Sequence, residues 1–578
     1  MTHRSAWLGL LACALAAVPA DGAAARTLSV RAPAITAKLS VTARFGPSRT
    51  VVRVRGRARV RWRAVALVVL RCANARCVRH GRRGRALLRL RRGRRRLALR
   101  LAVGPSPFAR VEVRAGRRVL SRATLRRPAA LARPPAGGAP APAPGPPPPA
   151  AGVSTSPPLV PAYDPAIPDY TVACEPGRTV KVVAEGVERT LALSGGQRFT
   201  FSAGGRSHSV RCLPRIWAGW KVTREGTPEV EWMLFNTFIG TAGYTVIADD
   251  RGVPLWWKTG APPLLDGRML SDGTIAVGHV SDVSFGRAPY AHFALDGTPL
   301  AAFDTVGSSA DPHELEVLPN GNALMQRYVR RDHVDLTSLG GPADATVLDG
   351  EIQEVTPDHE LVWSWNSADH IGVAETDFPL SAIRTQIDGQ EAYDLVHLNS
   401  LQRDGDGILV SARHSNAVYR IRRADGGVDW KLGGTGRAES LDFRAGPFGA
   451  ADLGGQHQAR RLSDGTISLH DNGTQKGRPP RVLRFAVDPL ARTATVVERV
   501  ADARVGPSIC CGGATPLDGG NWLVSWGGIP TITELTPSGQ PVLTLEFEHS
   551  FSYRAQSLTS ADVTREALRA GMDAMHPR

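Results

Sequence analysis

The chain has 578 residues and a formal net charge of +18, too long for one core, so several domains are expected. The charge is local: residues 26–133 hold 32 Lys and Arg against one acid, Glu112, while residues 134–578 carry a net −13. An exported chain without aromatics interleaved among its basic residues is not expected to bind nucleic acid, and no later segment has the roughly 20 uninterrupted apolar residues that a membrane-spanning helix needs.

Residues 1–25 (MTHRSAWLGLLACALAAVPADGAAA) have a basic start, an apolar run from Trp7 to Val18 and small residues at Ala23–Ala25. That pattern reads as a secretory signal peptide and places the mature chain outside the cytoplasm, secreted or in the cell envelope. Cys13, after Leu-Leu-Ala, leaves a lipoprotein anchor as the alternative. In residues 27–127 the stretch VVRVRGRARVRWRAV sets Arg at 53, 55, 57, 59, 61 and 63, the period of a strand and not of a helix. A small Arg-rich β domain follows from it. Its Arg face either meets a polyanion, such as a wall polymer or acidic lipid headgroups, or is simply solvated.

Residues 128–161 form a Pro/Ala-rich linker. Residues 162–216 alternate polar and apolar positions between Cys174 and Cys212, as a second small β domain would. Beyond Cys13 six cysteines remain, and an even count in an exported chain suggests disulfides. The simplest local pairs are Cys72–Cys77 and Cys174–Cys212. Cys510 and Cys511 are neighbours, and both a bond and free thiols stay open. No Cys-x-x-Cys repeat stands at zinc spacing, so neither metal nor cofactor is expected.

From 217 to 557 Asp-Gly and Asn-Gly turns recur between apolar strands: LSDGTIAVG, LPNGNALMQ, QRDGDGILVSA, LSDGTISLH and LDGGNWLVSW. A second hairpin type alternates with them, as in TPDHELVWSW and TPSGQPVLTL. Such turns are the strongest short hairpin signal. Two hairpins make a four-stranded unit, and about six units predict an all-β, six-bladed β-propeller. Residues 558–578 are left as a short C-terminal helix or tail.

Counting back seven residues from the turns at Asn320, Asp404 and Asp464 gives His313, His397 and His457. Equivalent seats in successive blades converge on a propeller's axis, so three imidazoles should meet there. Arg413 and Asp471, one strand later, belong near them, with Asn399 and Asn472 beside. His414, next to Arg413 on a strand, should face the other way. Three imidazoles can hold zinc, yet a guanidinium repels a dication and no carboxylate occupies an equivalent seat. A neutral His nucleophile with an Arg fork suits oxyanion chemistry better.

These residues lie in motifs that resemble the aryl sulfotransferase family of secreted bacterial six-bladed propellers. The motifs are DPHELEVLPNGNAL, YDLVHLNSLQRDGDGILVSARHSNAVYRI, WKLGG, GGQHQARRLSDGTISLHDNG and GGNWLVSWGG, and the likeness covers about residues 165–557. It implies a ping-pong transfer of a sulfuryl group from an aryl sulfate to a phenol, without a nucleotide sulfate donor. His457 would carry the group, with His313, His397 and Arg413 around it; Asn399, Asn472 and Asp471, set beside them by the spacing, are expected to bind substrate. Gln458 departs from the family pattern, where an Asp is expected, and could alter the orientation of the His457 ring. The alternative is a non-catalytic propeller whose channel binds an anionic glycan or wall polymer.

Overall fold

Nearly every regular element is a β-strand; among the described residues the one α-helix is Arg565–Met575. The computed structural model divides into residues 1–144 and 145–578. In the first unit it describes the backbone of eight strands between residues 23 and 126. In the second it describes residues 153 onward except 176, 240–241, 261–263, 280–287, 388, 445, 450 and 549. The expected leader up to residue 22, Cys77 of the expected 72–77 pair, and the Pro/Ala stretch up to residue 152 lie outside the described residues.

Alternation in the first unit yields two four-stranded antiparallel sheets. Ala23–Ala32, Ile35–Phe45, Thr50–Val60 and Gly93–Val103 lie side by side, and Ala23–Ala32 begins within the last residues of the expected leader. Arg85–Arg89, Val65–Cys72, Phe108–Ala115 and Arg118–Arg126 form the other sheet. The register sets Arg53, Arg57 and Arg59 opposite Arg100, Arg96 and Arg94. By the period of two these positions share one face, and Val52, Val54, Leu99 and Leu101 share the other.

The second unit opens with two three-stranded sheets. Ser154–Ser156, inside the stretch expected to be linker, pairs with Thr179–Ala184. It sits at the sheet edge just before Pro157, where a missing N–H costs no ladder bond. Tyr170, Val172, Val182, Phe199 and Val210 form the core, and Cys174 is bonded to Cys212. Thr564 caps the helix Arg565–Met575 by accepting from the Ala567 N–H at 3.2 Å. Leu568 and Met572 of that helix join the core of Trp256 and Trp257. Asp573 pairs with Arg198 and Arg211, which ties the helix to the small sheets.

Six sheets follow from residue 220. The first joins Trp220–Arg224 to Pro541–Phe547, Thr531–Leu535, Trp522–Ser525 and Gly513–Pro516. The second holds Trp232–Ile239, Ala242–Asp249 and Pro254–Gly260, with Ala555–Leu558 on its edge. The third is Leu264–Met269, Ile275–His279 and Ala291–Phe293. The fourth centres on Leu315–Val317, Ala323–Val334 and Ala345–Val355. The fifth is Leu398–Asp404, Gly407–Ala412, Ala417–Arg422 and Val428–Gly433. The sixth contains His457–Arg461, Ile467–Asp471, Arg481–Asp488 and Thr493–Val500. The expected turns make the inner hairpins: Asp272 and Asp464 each bond the N–H and hydroxyl of the Thr two residues on. Gly273 and Gly465 take the positive φ that such a turn requires.

Candidate active site

His313 precedes Leu315–Val317, His397 precedes Leu398–Asp404, and His457 opens His457–Arg461. All three thus begin the first strand of a hairpin, in the fourth, fifth and sixth sheets, and the equal counting from the turns reflects equal seats. The rings of His313 and His397 are 4.9 Å apart, edge to face. Tyr553, buried, sets its ring 5.6 Å from His313 and 6.3 Å from His457, joining all three into one cluster.

Each ring is held through Nδ1, but by different partners. His313 Nδ1–H donates to Asp311 Oδ1 at 2.5 Å, and Gln326 Nε2 donates to the same oxygen at 2.8 Å. His397 Nδ1–H donates to Asp394 Oδ2 at 2.5 Å, with the Tyr328 hydroxyl 3.0 Å away. His457 Nδ1 meets no carboxylate: it lies 2.9 Å from the Gly455 carbonyl and 2.8 Å from Asn472 Oδ1. The Asn472 orientation follows from its other end, where Nδ2 donates to the Cys511 carbonyl at 2.9 Å. Both neighbours of His457 Nδ1 are acceptors, so the proton sits there and the lone pair on Nε2. The Cys511 N–H donates to that Nε2 at 3.1 Å.

Arg413 accompanies them. Its guanidinium lies over Phe378, 4.9 Å from the ring centroid, and donates to His414 Nε2 at 2.8 Å and to the Ile509 carbonyl at 2.7 Å. His414 therefore does not face away, as strand alternation required. The strand ends at Ala412, residues 413–416 turn, and the His414 ring comes to rest 4.6 Å from His397. Its Nδ1–H donates to the Asp394 carbonyl at 2.5 Å, which leaves Nε2 to orient Arg413.

Burial, then the charges of Arg413, His397 and His313, hold His457 well below the usual histidine range. Burial, His313 and Arg413 do the same to His397, and burial takes His414 down to about 3. The two carboxylates part company. Burial pushes Asp394 up to about 6 against the pull of His414, His313 and Arg413. Burial also opposes ionisation of Asp311, but His313 and Gln326 overcome it and leave Asp311 below its ordinary value.

The other expected residues lie close by with different work. Asn399 donates from Nδ2 to the Gln456 carbonyl at 2.7 Å and so steadies the residue before His457. Asp471, expected to bind substrate, accepts at one oxygen from the Gly454 and Gly473 N–H groups and at the other from Arg478 and Arg481. It braces the loop that enters His457 and offers no oxygen to a ligand. Gln458 sits at φ +49, where the strand register slips, and lines a separate cavity of about 290 Å³ with Arg268, Arg460 and Arg554. Donor atoms of Asp394, His397 and His414 lie within 4.8 Å of one another, close enough to share a metal. They are engaged with each other, and Arg413 on His414 Nε2 opposes a dication. Cys510 and Cys511, left open by the sequence, are bonded to each other.

Asp311, Asp394, Tyr553 and the Cys511 amide escaped the sequence reading. The first two left a signal: an acid stands two residues before His313 in DPH and three before His397 in DLVH, and none precedes His457 in GGQH.

Residues 292–548 match the family model described as Arylsulfotransferase (ASST). No curated protein matches the chain. Among solved structures, a protein of unknown function from Bacteroides caccae is 11% identical at a TM-score of 0.36, over 56% of this chain and 98% of its own. Apo AztD from Citrobacter koseri is 11% identical at 0.27, over 57% and 98%. A Synechocystis apocarotenoid oxygenase mutant is 10% identical at 0.26, over 60% and 96%. Structural likenesses this slight carry no argument about fold or function.

Proposed function

We propose, for a chain that belongs to the arylsulfotransferase family through residues 292–548, that it moves a sulfuryl group from an aryl sulfate to a phenol by way of a sulfated His457. The observation that carries this reading is the tautomer of His457, whose Nδ1 proton is held between two acceptors so that Nε2 keeps its lone pair. A neutral imidazole is a competent nucleophile, and the depressed pKa keeps this one unprotonated. Nε2 attacks sulfur as the bond from sulfur to the aryl oxygen breaks, and the phenolate leaves with the bonding pair. Arg413 and the flanking rings answer the charge gathering on the sulfuryl oxygens.

The proton for the departing oxygen comes from His313. Asp311, kept ionised, supports a positive ring better than Asp394, which takes up a proton near pH 6. In the second half-reaction a phenol returns its proton to His313, and its oxygen takes the sulfuryl group from Nε2. The two halves balance with aryl sulfate and phenol alone.

Residues 217–557 are then read as a six-bladed propeller around this site. Six consecutive sheets support that reading, as does the pairing of Trp220–Arg224 with Pro541–Phe547, which brings both ends of the region into one sheet. The leader-like start supports export to the envelope or beyond. Brief exposure to 4-nitrophenyl sulfate, then peptide mass mapping, should find one sulfuryl group on the peptide holding His457. Transfer with that peptide unmodified would sink the covalent step, and binding without turnover would favour the non-catalytic, anion-binding propeller.

A further inference from the structure

The lone pair that must attack sulfur is already occupied. The Cys511 N–H donates to His457 Nε2 at 3.1 Å, so a sulfur atom bound to that nitrogen would bring its oxygens beside this amide. The segment carrying this amide is anchored on every side. Ser508 Oγ lies within hydrogen-bond distance of both the Cys510 and Trp526 carbonyls, the Gly528 N–H donates to the Cys510 carbonyl at 2.9 Å, and the Gly512 N–H to the Tyr553 carbonyl at 2.9 Å. Cys511 holds a φ of +67, a conformation that a non-glycine residue keeps only when its surroundings impose it. Gly512 follows at φ +98, where a Cβ would fall 2.6 Å from the buried ring of His470. The bond between Cys510 and Cys511 closes the smallest ring a disulfide can make around the very peptide that bears the amide. The same segment reaches the other groups of the cluster, through the Ile509 carbonyl on Arg413 and the Cys511 carbonyl on Asn472.

We infer that the Cys511 backbone amide is a catalytic donor, resting on the His457 lone pair and passing to an oxygen of the sulfuryl group as that lone pair bonds to sulfur, with the Cys510–Cys511 disulfide positioning it. This rests on the sulfohistidine reading above. When Nε2 attacks, its lone pair becomes the N–S bond and the amide loses its acceptor. The sulfuryl oxygens arrive one bond beyond Nε2 and take its place. The amide keeps its hydrogen and Nδ1 keeps the one shared with Gly455 and Asn472, while the phenolate departs with the electron pair of the broken bond and takes its proton from His313. The donor is most useful in the transition state, when charge on those oxygens is redistributing, which is where a preorganised amide lowers a barrier most.

The test is single-turnover formation of the His457 adduct from 4-nitrophenyl sulfate by the full chain, comparing wild type with Cys510→Ala/Cys511→Gly. Glycine at 511 keeps both the N–H and the positive φ, so the variant removes only the bond that fixes the peptide. Adduct formation should slow about 10- to 100-fold, less than the roughly 10²- to 10³-fold cost of removing an oxyanion donor outright because the amide is loosened and not lost, while half-saturation for the aryl sulfate changes little. With the donor no longer held on Nε2, the His457 limb of the rate profile, which lies below the Asp394 limb near pH 6, should move to higher pH. Wild type treated with a phosphine should slow likewise and recover on reoxidation; the variant should ignore the phosphine, which separates this pair from Cys174–Cys212. Adduct formation at the wild-type rate with an unmoved His457 limb would overturn the assignment. Failure of wild type itself to form any adduct would instead overturn the sulfohistidine reading, and this inference with it.

Discussion

The two sides of the histidine cluster enter their hairpins at equivalent places and differ in chemistry. His313 and His397 enter their hairpins with a carboxylate behind Nδ1, whereas His457 enters the next sheet with only a carbonyl and an amide oxygen there. An ionised carboxylate stabilises a protonated ring, and Asp311 supplies one to His313, whereas Asp394 is pushed up to about 6 and His397 is held well below the usual histidine range. Neutral acceptors fix the tautomer without inviting a second proton, which suits a nucleophile. Repetition of a hairpin can therefore supply three identical side chains, and the residues just before each one sort them into roles.

The sharpest way to break this comparison is to remove the odd member. His457→Ala should lower sulfuryl transfer by about 10⁴-fold or more, as loss of a nucleophile does, with the thermal midpoint held near wild type. Retained transfer would move the nucleophile to the carboxylate-backed side.

A smaller effect should separate the two similar members. His313→Gln should cost about 10²–10⁴-fold with phenyl sulfate, the range for general acid catalysis, and much less with 4-nitrophenyl sulfate, whose phenolate leaves unaided. Equal losses on both donors would deny His313 the acid's role.

The smallest expected effect is on pH dependence. Asp394 is pushed up to about 6, so it is neutral below that pH and ionised above it. If its charge is needed to seat His397, transfer should fall as pH drops through about 6, and Asp394→Asn should be slower at neutral pH and lack that limb. A limb unchanged in Asp394→Asn would assign it to another group.

The spacing from turn to histidine could be read in advance because a hairpin's start and its turn are locked together by the period of the ladder. LPNGN, QRDGD and LSDGT therefore pointed to three seats, and His313, His397 and His457 stand at or just before the starts of their strands. His414 was misplaced because the alternation rule was carried past Ala412, where the ladder stops and Arg413 begins a turn. Asp471 was misjudged for another reason: a strand buried on both faces has no solvent side, so an inward carboxylate there can serve a loop and two arginines instead of a ligand. The Cys511 amide left no trace in the letters, since every residue but proline has an N–H and only the fold decides where it points.

Pairing between Trp220–Arg224 and Pro541–Phe547 has a consequence for the life of the chain before it is whole. The opening strand of that sheet has no neighbour until nearly all the polypeptide has emerged, and contacts so distant along the chain form slowly. During most of its synthesis that sheet stays open, and it closes only when the late strand arrives.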